Sequence, residues 1–72
     1  MTHADTLEVR INGETRRVSA GSTIAALVAE IGLDPARVAV ERNLEIVPRS
    51  TLGDVAVVDG DAFEIVHFVG GG

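Results

Sequence analysis

Cysteine, lysine, tryptophan and tyrosine are all absent from this 72-residue sequence, and each absence removes something. Without cysteine there can be no disulfide, no thiolate metal ligand and no persulfide carried on a side chain of this chain. All six positive residues are arginine, so no side-chain amine is available to receive an isopeptide bond. That weakens any role in which copies of the protein are linked into chains. With no Trp or Tyr and only two Phe, the core must be aliphatic. No apolar run approaches the roughly 20 residues needed to span a bilayer, so no membrane association is expected. Met1 to Arg10 is polar and mixed in charge, unlike a signal peptide, which makes the cytoplasm the expected compartment. A concentrated basic face is missing too: net charge is −5 and the arginines are spread from Arg10 to Arg49, which argues against nucleic-acid binding.

What is present suits a small globule. Hydrophobic residues make up 46 % of the chain at regular spacing, and a chain this short supports one core, burying only about 60 % of the surface its unfolded form exposes.

Leu7, Val9 and Ile11 alternate with Glu8 and Arg10, as a half-buried strand over Thr6 to Ile11 requires. Asn12-Gly13 supplies the positive φ values of a tight hairpin turn, and Glu14 to Ser19 returns as a second strand. A hydroxyl within Gly21-Ser22-Thr23 can cap a helix, and Ile24, Leu27, Val28 and Ile31 then form an i, i+3, i+4, i+7 stripe. Gly32 closes that helix at a length of about 10 residues, and Asp34-Pro35 opens a turn. Val38 to Val40 and Ile46-Val47 read as two short strands around an Arg42-Asn43 turn, the second at an edge because Pro48 removes a ladder donor. Ser50 to Asp54 reads as a polar connection and Asp59-Gly60-Asp61 as another tight turn. Ala62 to Val69 is a longer strand, apolar on both faces and so expected at the centre of a sheet.

The order strand, strand, helix, strand, strand, strand, with hairpins at each end and the helix as crossover, lets the first and last strands pair in parallel. This predicts an α+β, ubiquitin-like β-grasp fold, a mixed sheet of four to five strands with one main helix on one face. Residues 1–69 would form the domain and residues 70–72, Gly70-Gly71-Gly72, a flexible tail.

That tail carries the candidate chemistry. A carboxylate is a poor electrophile and needs activation, for example as an acyl-adenylate made from ATP, by an enzyme that encloses it. Three extended residues reach roughly 10 Å, and glycine has no Cβ to clash with a narrow channel. Gly70 and Gly71 would thread into a partner's active site and Gly72 would be modified. The bland alternative is a frayed end, which is common for termini.

From Leu7 to Gly72 the chain resembles the sulfur carriers of thiamin biosynthesis, a β-grasp family that shares its activation logic with ubiquitin and the small subunit of molybdopterin synthase. The resemblance is carried by Ile11-Asn12-Gly13, Gly21-Ser22-Thr23-Ile24 with Leu27, Val38-Ala39-Val40 through Asn43, Ile46-Val47-Pro48-Arg49-Ser50, Asp59-Gly60-Asp61 and the Gly-Gly end. Val-Pro-Arg-Ser favours the thiamin branch. Thr51-Leu52 stands where these carriers often have an aromatic residue, and Gly70 is additional. The resemblance implies a cycle in which an adenylating enzyme uses ATP to convert the Gly72 carboxylate to an acyl-adenylate. A sulfur donor such as a cysteine desulfurase supplies persulfide sulfur, and thiazole synthase takes the sulfur from the resulting thiocarboxylate. The chain would then be a cosubstrate, binding no cofactor itself and having no catalytic residues of its own. Alternatives are a carrier for molybdopterin or another sulfur pathway, conjugation of Gly72 to target lysines, and a non-catalytic ubiquitin-like binding module with an inert tail.

Other residues suggest less. If Phe63 and Ile65 face the helix, Val66 turns outward beside Glu64 and Phe68 falls near the strand's frayed end, and outward they would form a small apolar patch for docking the adenylating enzyme. Otherwise they simply cover the sheet's open face. His3 and His67 lack the clustered partners of a metal site, so none is expected. Asp59 and Asp61 have too few companions for a calcium loop and suit a turn. Arg49 would bind a partner or pair with a local acid.

Overall fold

The computed structural model describes residues 5–69. Its strands are β1 (Thr6–Ile11), β2 (Glu14–Ser19), β3 (Val38–Arg42), β4 (Glu45–Val47) and β5 (Ala62–His67), with one α-helix, α1 (Ile24–Glu30), and short 3₁₀ turns at Pro35–Arg37 and Arg49–Thr51. The five strands form one mixed sheet in the order β2-β1-β5-β3-β4. β1 and β5 run parallel at its centre, and the other pairs are antiparallel. This is the β-grasp arrangement that the element order implies.

The first hairpin turns at Asn12 (φ 53°) and Gly13 (φ 86°), conformations that Asn and Gly adopt most readily. The second hairpin turns one residue later than Arg42-Asn43. Asn43 (φ 52°) and Leu44 (φ 74°) occupy its two positive-φ positions, because β3 runs on to Arg42. A leucine there is unusual, since its Cβ is crowded in the left-handed region.

Helix α1 is shorter than the apolar stripe suggests. Thr23 caps it, its Oγ1 accepting from the Ala26 N–H at 3.1 Å. At the other end Gly32 (φ 92°) closes a Schellman motif, with Gly32 N–H donating to the Ala29 carbonyl and Leu33 N–H to the Val28 carbonyl, both at 3.0 Å. Ile31 thereby becomes the C-cap, leaving seven helical residues. The first two helical N–H groups are satisfied from far along the chain: Ile24 donates to the Val55 carbonyl and Ala25 to the Leu52 carbonyl, each at 2.9 Å.

Those acceptors lie in and beside the segment read as a polar connection, and here the structure corrects the sequence. The 3₁₀ turn, held by Thr51 N–H donating to the Pro48 carbonyl at 2.9 Å, drives Leu52 into the core at 2 % exposure. Val57 follows it inside. Together with Ile24, Leu27 and Val28 of α1 they pack on the inward residues of the sheet, among them Val9, Val38, Phe63 and Ile65.

A second correction concerns β5. It lies in the middle of the sheet, as expected, but it ends at His67 and only one of its faces is buried. Phe63 and Ile65 point into the core, while Ala62, Glu64 and Val66 are exposed. Its central place comes from pairing with β1 and β3 on its two edges, not from burial on both faces.

Candidate functional site

Gly70, Gly71 and Gly72, expected to thread and to be loaded, lie outside the described residues, as does His3. What the structure defines is the base from which they follow. β5 pairs with β3 from Arg42↔Phe63 to Val38↔His67, and the Phe68 N–H donates to the Arg37 carbonyl at 2.7 Å, so the chain is held on that side through Phe68. On the other side it pairs with β1 at Arg10↔Ala62 and Ile11↔Phe63.

The start of β5 is pinned by a polar cluster. Asp61, 5 % exposed, accepts from Arg42 Nε at 3.1 Å, from Asn43 Nδ2 at 3.1 Å and from the Val58 N–H at 2.9 Å. A buried carboxylate is tolerated when it is paired and hydrogen-bonded in this way. Asp59 accepts from the Glu8 N–H at 2.8 Å. Both aspartates therefore serve the turn around Gly60 (φ 89°). Arg49 pairs with no acid among the described residues, and its Nε donates to the Val38 carbonyl at 3.3 Å. His67 is half-buried at the end of β5, opposite Val38.

The sheet face away from α1 carries the docking candidates. Val66 is 58 % exposed and lies opposite Ala39; Phe68, 49 % exposed, lies just past the strand. Sequence reasoning missed their neighbour Ile46, which is 79 % exposed. Ile46-Val47 reads as one apolar strand, and only the pairing Glu41↔Ile46 decides that Ile46 shares the outer face with Glu41 while Val47 turns toward the core. Ala39, Glu41, Ile46, Glu64 and Val66 line a shallow groove of ≈ 180 Å³. Glu41 and Glu64 are directly opposed across the strands, a like-charge pair that disfavours the isolated sheet and would be relieved by a cation from outside. The groove therefore has an apolar floor and an acidic rim, which complements a basic, partly apolar partner surface.

The ThiS family model matches residues 9–72. A thiazole synthase of Paramagnetospirillum magneticum is 58 % identical over 66 residues, which is 92 % of this chain but 20 % of that enzyme. The chain thus spans about a fifth of the length of the thiazole synthases that it matches. The sulfur carrier protein ThiS of Bacillus subtilis is 48 % identical over 50 residues, covering 69 % of this chain and 76 % of that one. Among solved structures, the thiamine biosynthesis protein (ThiS) of Geobacter metallireducens superposes with a TM-score of 0.73 at 29 % identity, covering 92 % of this chain and 100 % of that one.

Proposed function

Because this chain belongs to the ThiS family, we propose that it is a sulfur carrier of thiamin biosynthesis, a protein cosubstrate and not a catalyst. The observation that carries the reading is the family match over residues 9–72, which takes in the glycines that follow β5. In this proposal the Gly72 carboxylate attacks the α-phosphate of ATP in an adenylating enzyme, giving an acyl-adenylate and pyrophosphate. A persulfide sulfur from a donor such as a cysteine desulfurase then displaces AMP, and a thiol cleaves the resulting S–S bond to leave the thiocarboxylate. Thiazole synthase accepts that sulfur. The regions like this chain within relatives named thiazole synthase support the choice of that enzyme as the acceptor.

The chain's own contribution is delivery. Gly70 and Gly71 follow a strand fixed on both edges, and residues without a Cβ suit a narrow channel. Val66 and Phe68, joined by Ile46, dock the adenylating enzyme, with Glu41 and Glu64 meeting basic residues of that partner. No helix of the described residues is long and apolar enough to cross a membrane.

Intact-mass measurement after incubation with ATP, a cognate adenylating enzyme and a sulfur source tests this. The expected gain is the mass difference between sulfur and oxygen. Deleting Gly72, or replacing Gly71 with Trp, is expected to abolish the gain while leaving thermal unfolding unchanged. An unaltered mass in the wild type would instead mark an inert binding module.

A further inference from the structure

Asparagine occupies the first positive-φ position of both hairpin turns, and both side chains reach across to β5. Asn43 holds the start of that strand, its Oδ1 accepting from the Ala62 N–H at 3.0 Å while its Nδ2 donates to Asp61. Asn12 holds the middle. Its Oδ1 accepts from the Ile65 N–H at 2.8 Å and its Nδ2 donates to the Ile65 carbonyl at 3.1 Å, across 53 positions of sequence.

Backbone pairing between β1 and β5 stops at Ile11↔Phe63, with a last bond from the Asn12 N–H to the Phe63 carbonyl at 2.9 Å. There the chain turns away through Gly13. The Asn12 side-chain amide then presents one donor and one acceptor to Ile65, standing in for the two successive peptide groups that a continuing parallel strand would offer. The turn itself does not require asparagine, since glycine meets the same φ demand. What glycine lacks is the two-bond grip on Ile65. Without it, among the described residues the stretch from Ile65 to Phe68 would be held from the β3 side alone.

We propose that Asn12 is a positioning residue for loading: it fixes the line along which the chain leaves β5, and hence where the glycines begin. This inference rests on the carrier reading. A looser exit spreads the following residues over more orientations, so more entropy is lost when a partner captures them. The bond-making step belongs to the partner and is untouched. The effect therefore falls on KM and spares kcat.

The test compares wild type, Asn12→Gly, Asn12→Asp and Asn43→Gly by amide hydrogen exchange, which needs no partner, and by initial rates of ATP-dependent loading over a range of carrier concentrations. In Asn12→Gly the Ile65 amide is expected to lose about tenfold in protection, and KM to rise about three- to tenfold with kcat held within about twofold. Asn12→Asp keeps the acceptor for the Ile65 N–H but sets a carboxylate against the Ile65 carbonyl, so KM should also rise; this variant carries the comparison if Asn12→Gly folds poorly. Asn43→Gly should lose protection at Ala62 yet keep the wild-type KM. Unchanged Ile65 exchange in Asn12→Gly, or the same KM in all four proteins, overturns the proposal, as does an equal rise in Asn43→Gly, which would mean general loosening. A wild-type chain that never loads overturns the carrier reading instead, whatever exchange at Ile65 shows.

Discussion

Under α1, Val9, Val18, Val38 and Phe63 are at most 2 % exposed, whereas on the opposite face of the same sheet Val66 and Ile46 are 58 % and 79 % exposed. Valine and isoleucine stand on both faces, so residue type alone does not decide which of them is covered, although the outer face also carries Glu8, Arg10, Glu41 and Glu64. What differs is the neighbour. The inward face meets Ile24, Leu27, Val28 and Leu52, and among the described residues the groove on the outward face is bordered by its own Glu41 and Glu64. Apolar residues on the first face contribute to folding; those on the second are free to contribute to association.

The comparison can be broken most severely from the inside. Leu27 is fully buried in α1, and Leu27→Ala is expected to cost about 2–5 kcal/mol, of the same order as the stability of so small a domain. Urea denaturation should show a chain largely unfolded or nearly so, and a loss within experimental error would remove the distinction between the faces. On the outer face, Val66→Arg should leave the urea midpoint almost unchanged, because exposed positions tolerate substitution within about 0.5 kcal/mol. The same variant should weaken binding to the adenylating enzyme about tenfold, measured by titration calorimetry, because it puts a cation where the partner is expected to be basic. The smallest effect should come from the rim of the second hairpin. Leu44→Asn replaces a 90 % exposed leucine at φ 74° with a residue that tolerates that conformation, and should raise stability by up to about 1 kcal/mol. If stability falls instead, Leu44 makes a contact that its exposure does not reveal.

Much of this architecture was legible in the sequence wherever the governing interaction is local. Asn12-Gly13, Thr23, Gly32 and Gly60 each do what the adjacent residues imply, because caps and turns are decided within a few positions. The alternation of β1 was equally readable. Legibility fails where the deciding partner is remote. Leu52 looks like part of a polar loop because its burial depends on the N-terminus of α1 accepting that loop as a cap. Ile46 and Val47 look alike until register with β3 separates them. Asp61 gives no sign of burial, which follows from Arg42 and Asn43 arriving from another hairpin. Val66 reads outward on β5 and is exposed there, but the exposure of Ile46 beside it and the bonds from Asn12 to Ile65 both need pairings between distant segments. The glycines at 70–72 were legible in chemistry alone.

The parallel pairing of β1 with β5 joins the earliest strand of the domain to the latest. During synthesis, then, β1, β2 and α1 leave the ribosome with an empty slot at the sheet's centre, and it is filled only when β5 has emerged. Closing so distant a pairing is slow compared with forming a hairpin. A chain built this way cannot complete its sheet before β5 has been made, so partially synthesised copies would lack the finished outer face on which the proposed docking depends.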